Sequence, residues 1–215
     1  PPRSTLFPYT TLFRSVKEAT GFSVNYGPVR AADIKKYIAA GYKKDGEMRR
    51  VTFNLIDRLT VVPVEVVMSW RFIAAMAAFF MFLNAFGGRF FWKRALRDII
   101  PAVGGAFSGL VAVPALLPYI PGRAFSVKGF VAGSAWLAFS GFKFGFTAGE
   151  WAANFFVIAP LSSFFALNFT GATTFTSQSG VEYEVKKTFN LMKYSLILGA
   201  ALKIIFKFKR ERRTA

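Results

Sequence analysis

The chain has 215 residues, of which 53% are hydrophobic and 27 are Phe; it carries a formal net charge of +17 and contains neither Cys nor His. Without thiols or imidazoles it has no disulfides, no thiolate nucleophile, no imidazole base and no soft metal ligand, so redox or transition-metal chemistry must be supplied from elsewhere. Only 18% of residues are charged, and the basic ones flank long apolar stretches, which points to anionic headgroups at a membrane rather than to nucleic acid.

In chain order, residues 5–15, TLFPYTTLFRS, come first. They follow no helix or strand period, Pro8 interrupts any ladder, and they lack the basic n-region and long apolar stretch of a signal peptide. Over these eleven positions they resemble the in-frame translation of a common short-read sequencing adapter. Residues 1–15 are therefore expected to be an artefact, with the protein proper starting near Val16 and its true N-terminus upstream.

Residues 16–63 read as the remnant of an α/β domain. FSVNYG alternates like a strand end, PVR turns, and AADIKKYIAAG predicts a helix. Asp33 suits its first turn, Ile34, Tyr37 and Ile38 form an apolar stripe, and Gly41 is the stop. VTF and RLTVVPVEVV read as further strand, with Pro63 at an edge or exit. A segment of about 45 residues cannot bury a core of its own, so the rest of that domain is expected upstream.

Residues 64–215 read as a polytopic membrane helix bundle with a basic C-terminal tail, making the fold class mainly α. Five apolar segments approach the roughly 20 residues needed to cross a bilayer. They lie at about 64–86, 99–119, 125–146, 151–168 and 189–208. TAGE predicts a tight hairpin between the third and fourth. Gly104, Gly105, Gly109, Gly133 and Gly141 provide small surfaces for close helix packing, while Pro114 and Pro160 predict kinks. Trp70, Trp92, Tyr119 and Trp151 sit near span ends, as interfacial aromatics do. The basic stretch from Lys35 to Arg58 argues that the N-terminal part is cytoplasmic. Five crossings would then put KFKRERR on the other side, against the positive-inside tendency, so four crossings with one re-entrant segment is the alternative.

Three sets of residues are candidates for function. VNYGPVRAADI places a Gly-Pro turn before a helix N-terminus, whose free N–H groups suit a carboxylate, phosphate or amide-rich ligand, with Arg30 as a directed cation; an ordinary strand-to-helix turn explains the same residues. NFTGATTFTSQSGVEYEVKK gathers Asn168, Thr170, Thr173, Thr174, Thr176, Ser177 and Ser179 beside a membrane helix, with Gly171 and Gly180 allowing irregular backbone. Such a segment either lines a wet cavity or is a polar loop in water. Glu65, Arg71, Lys143 and Lys203 lie inside or near the spans, where ionisable residues are functional candidates and snorkelling is the competing explanation. No two carboxylates are spaced as an acid/base pair.

With GFSVNYGPVRAADIKKYIAAGYKKDGEMRRVTFNLIDRLTVVPVEVV, then spans, then NFTGATTFTSQSGVEYEV, the chain from Val16 onward resembles the C-terminal half of the HgcA-like family of mercury-methylating corrinoid proteins. It is more distantly similar to the corrinoid subunit of acetyl-CoA synthase/CO dehydrogenase complexes. The resemblance implies a cytoplasmic corrinoid (cobalamin) domain followed by a multi-pass domain in the cytoplasmic membrane. It also implies transfer of a cobalt-bound methyl group to Hg(II), giving methylmercury, with a ferredoxin-like iron–sulfur partner returning cobalt to its reduced state. Gly27, Pro28, Val29 and Arg30 match the family's YGPVR segment and are expected at the corrinoid edge. Asn168, Thr170, Gly171, Thr174, Thr176 and Ser177 are expected to form a partner-docking or polar membrane segment. The family's cap-helix segment Asn-Val-Trp-Cys-Ala-Ala-Gly, whose Cys lies beneath cobalt, is absent. The chain alone is therefore expected to bind no corrinoid and to be inactive. Membrane lipid is the other expected partner and nucleic acid is not. The alternatives are a membrane-anchored corrinoid protein of one-carbon or acetyl-CoA metabolism with another methyl acceptor, and a small membrane transporter or channel module.

Overall fold

The computed structural model describes residues 15–22, 27–50, 53–85, 91–169 and 178–214. The chain forms two compact units, Pro1–Thr52 and Phe53–Ala215.

In the first unit, helix α1 covers residues 15–20. A 3-10 turn, Ala31–Asp33, runs into the short helix α2, Ile34–Ala39. Gly41 stops it as predicted: Gly41 and Tyr42 take φ of 63° and 62°, and the Tyr42 N–H donates to the Tyr37 carbonyl at 3.0 Å. Of the predicted apolar stripe only Tyr37 is buried, packed edge-on against Tyr42; Ile34 and Ile38 are exposed. Among the described residues there is no β-strand. Most of FSVNYG and VTF lies outside them, at positions 23–26 and 51–52.

The second unit is helical throughout. Helix α3, Leu55–Ala85, absorbs RLTVVPVEVV, so the strand expected at 58–67 is corrected to helix, with Pro63 inside it. The β-branched residues there favour a strand locally, but Asn54 and Asp57 start a helix upstream of them. The Asp57 N–H donates to Asn54 Oδ1 at 2.8 Å and the Asn54 N–H to Asp57 Oδ2 at 3.3 Å, a reciprocal cap. In an apolar environment a helix also satisfies its own backbone, which an isolated strand cannot do.

Helix α4, Phe91–Phe107, continues through a π-turn, Ser108–Ala112, into α5, Val113–Ala115. Pro114 accounts for the wide turn, since its ring would collide with the Leu110 carbonyl in a regular helix. Helices α6, Phe125–Phe144, and α7, Ala148–Asn168, form the predicted tight hairpin. Gly145 turns at φ 58°, and Thr147 and Glu150 cap α7 reciprocally. Helix α8, Gln178–Thr214, closes the bundle.

Four of these helices are long and apolar enough to cross a membrane: Leu55–Ala85, Phe91–Ala115, Ala148–Asn168 and Glu182–Lys207. The third predicted segment, α6, is not among them, because Lys128, Lys143, three Gly and three Ser dilute its hydropathy. Helix α7 is the centre, with 61% of its apolar stretch buried against 11% in α3 and 17% in α8. Val67, Met68 and Phe72 on α3 and Leu191 and Ile197 on α8 turn outward. Uncovered apolar faces of this extent suit lipid, not water.

Three glycines converge on Ser162, which is fully buried. A Cβ on Gly133 would lie 2.6 Å from Ser162 Cβ, one on Gly129 would lie 2.5 Å from Ser163 Cα, and one on Gly109 would strike the Ser162 carbonyl oxygen. Gly129 faces Ser163, Gly133 faces Ala159 and Gly141 faces Trp151, an antiparallel register that holds along the whole hairpin. On the other side of α7, Pro160 has no N–H to offer the Phe156 carbonyl. Ser195 of α8 donates its hydroxyl there at 3.3 Å, and Gly199 leaves room for the approach.

Gly129→Ala and Gly133→Ala should each cost about 1–3 kcal/mol by overpacking. Each should lower the thermal unfolding midpoint of the detergent-solubilised protein, whereas Gly46→Ala, where a Cβ meets open space, should leave it unchanged.

Candidate functional site: a basic cavity at one end of the bundle

The end of α3, the starts of α4 and α7 and the last part of α8 enclose a cavity of about 660 Å³. Its lining carries six basic side chains, Lys93, Arg94, Arg97, Lys203, Lys207 and Lys209, against the two carboxylates of Asp98 and Glu150.

Consecutive residues of α4 tie the site together in two directions. Asp98 reaches toward α3 and α8: it accepts from Lys203 Nζ at 2.6 Å and from Asn84 Nδ2 at 3.1 Å. The Lys203 side chain is 5% exposed, and its ammonium also lies over the Phe80 ring, 4.8 Å from the centroid. Arg97 reaches toward the α6–α7 corner, donating to the Gly145 carbonyl at 3.0 Å and to Glu150 Oε2 at 3.1 Å. Glu150 Oε2 in turn accepts from the Thr147 N–H, so one carboxylate caps α7 and holds Arg97.

Two buried polar atoms here have no partner among the described residues: Arg97 Nε, a donor, and Asn154 Oδ1, an acceptor. Asn154 is 2% exposed, and its amide nitrogen is already spent on the Glu150 carbonyl at 2.8 Å. The excess of basic over acidic side chains in the lining suits an anion.

The opposite end of the bundle uses its cations structurally. Arg58 Nη1 donates to the Pro114 and Ala115 carbonyls, both at 3.1 Å. Lys128 Nζ donates to the Leu117 carbonyl at 2.8 Å and also to that of Ile120. These two buried side chains satisfy the carbonyls where α5 ends.

Of the four charges singled out in the spans, Lys203 is buried and ion-paired, so it does not snorkel. Arg71 and Lys143 are exposed and Glu65 is half-buried. Gly27, Pro28, Val29 and Arg30 lie in the first unit, ahead of the 3-10 turn, where the Val29 N–H donates to the Met48 carbonyl at 3.0 Å. Val29 is 52% exposed, and a Cβ on Gly27 would meet nothing. The chain carries no imidazole or thiolate that could stand beneath cobalt, so no cobalt chemistry follows from these four residues. Asn168 is exposed at the end of α7; Thr170, Gly171, Thr174, Thr176 and Ser177 lie outside the described residues. No cluster of His, Cys, Asp or Glu able to hold a metal occurs among the described residues.

No protein-family model, curated protein or solved structure matches the chain.

Sequence reasoning had Lys203 in view but missed Asp98, Asn84, Arg97, Glu150 and Asn154. The available signal was two carboxylates and two amides in or beside apolar runs. Lys203→Met should destabilise the protein by about 1–3 kcal/mol by leaving Asp98 with Asn84 alone, and adding Asp98→Leu should restore most of that loss. Thermal unfolding of the single and double variants in detergent checks both.

Proposed function

We propose that this chain is the membrane-anchoring and docking portion of a corrinoid-dependent methyltransferase, the activity implied by the resemblance of its GPVRAADIKKY and NFTGATTFTSQSGVEYEV segments. The observation that carries the anchoring role is the pair of outward apolar faces on α3 and α8, with four helices of crossing length. In this reading a corrinoid held by a further, Cys-bearing domain would supply the methyl group that Hg(II) accepts, and an iron–sulfur partner would supply the electrons that restore the corrinoid. This chain's own residues hold the assembly in the cytoplasmic membrane, and the segment after Asn168 serves for docking.

The reading takes the bundle to cross five times. Helix α6 supports this, having twenty residues in antiparallel register with α7 along its length. A second reading, a small anion transporter, is favoured by the basic cavity. Proteoliposomes holding the chain should then pass anions in a manner abolished by Arg97→Gln, and absence of flux removes this alternative.

Because the chain is free of Cys, single cysteines report topology cleanly. Tyr119→Cys, ahead of α6, and Lys143→Cys, in its last turn, both at exposed positions, should react with a membrane-impermeant maleimide from opposite sides. Labelling from one side would make α6 re-entrant and leave four crossings. Sequencing the source DNA upstream of the Val16 codon tests the methyltransferase assignment: a frame encoding a Cys-bearing cap-helix segment supports it, and a frame without one removes its chemistry.

A further inference from the structure

A second cavity, of about 450 Å³, runs between α3, α7 and α8 and is lined by apolar side chains apart from Lys193. It shares these three helices with the basic cavity, and on each helix the two linings lie one turn apart. Phe80 lines the groove and Asn84 the basic cavity on α3; Val157 and Asn154 do so on α7; Ala200 and Lys203 do so on α8. The join is where the Lys203 ammonium sits over the Phe80 ring. An apolar slot thus lies one turn from a cationic chamber, with the buried contact between Lys203 and Phe80 separating the two linings.

We infer that the two cavities form one binding site for an anionic phospholipid, with its acyl chain along the groove and its phosphodiester in the basic chamber. Six cations against two carboxylates set the sign of the headgroup. A slot with almost no polar surface requires a hydrocarbon tail, so free phosphate uses only half of the site. Lys207 and Lys209 bring positive charge to this lining, where a phosphodiester is attracted. A choline headgroup would add a positive charge among the lysines, whereas a glycerol headgroup leaves the lipid anionic. The inference rests on the bundle's crossing a bilayer, and it names the lipid the bundle selects.

The test is thermal unfolding of the purified full chain in detergent with added dioleoyl phosphatidylglycerol, dioleoyl phosphatidylcholine or glycerol phosphate. Phosphatidylglycerol should raise the midpoint by about 5 °C at saturation, while the other two leave it unchanged. Equal stabilisation by phosphatidylcholine, equal stabilisation by glycerol phosphate, or no stabilisation by any of the three overturns the site. Lys207→Gln combined with Lys209→Gln should preserve the lipid-free midpoint and weaken the phosphatidylglycerol response about tenfold or more. An unchanged response overturns the headgroup assignment. Ala200→Phe, which fills the groove, should abolish the response, and a full response overturns the acyl-chain assignment. Retention of the chain in carbonate-washed membranes is measured separately. A chain that is retained but indifferent to phosphatidylglycerol refutes the lipid site alone; a chain released by carbonate refutes the membrane reading beneath it.

Discussion

The close approach of backbones around Ser162 is the contact on which the rest of the bundle depends. Lipid tails are as apolar as the side chains of a helix, so hydrophobicity alone does not drive helices together in a bilayer; packing and polar satisfaction do. Gly109, Gly129 and Gly133 bring the π-turn after α4 and helix α6 against α7 at distances no side chain permits. Pro160 exposes the Phe156 carbonyl on the other face of α7, and Ser195 and Gly199 bring α8 to it. Helix α7 is thereby held by neighbours on both sides, which is why it is the most buried of the four apolar helices.

From that centre the two ends of the bundle diverge in what their charges do. At one end Arg58 and Lys128 are consumed by the carbonyls where α5 stops, so charge there serves the backbone. At the other, Asp98 engages Lys203 and Glu150 engages Arg97. The neighbouring basic side chains outnumber those two carboxylates. The lock between Asp98 and Lys203 links α4 to α8 across 105 positions of sequence. It also fixes one wall of the chamber, so the stability of this end and the proposed headgroup site share the same residues.

The proposed anchoring role and the proposed lipid site are physically consistent. A bundle whose peripheral helices contribute most of the lipid-facing surface would present a groove between α3 and α8 to acyl chains, and its basic chamber would lie near headgroup depth. Selective binding of an anionic lipid would hold α3 and α8 against α7 at a place where side-chain packing alone leaves a gap of about 450 Å³.

The mainly helical, apolar character of the chain from residue 64 onward, the approximate place of four long apolar helices and the lack of thiolate and imidazole groups were legible in the sequence, because hydropathy and composition are local quantities. The α6–α7 hairpin was legible for the same reason, TAGE being short, while the reciprocal cap of Thr147 and Glu150 came from the structure. Residues 58–67 misled because their β-branched side chains favour a strand one by one, while the Asn54 and Asp57 cap and the apolar surroundings of a long helix outweigh them. Only the tertiary structure decided that Lys203 pairs with Asp98 instead of snorkelling, that three glycines meet one serine, and that an apolar groove lies one turn from a basic chamber. Each of these depends on which faces of distant helices meet, and that choice is made by packing among all the helices together, not within any one of them.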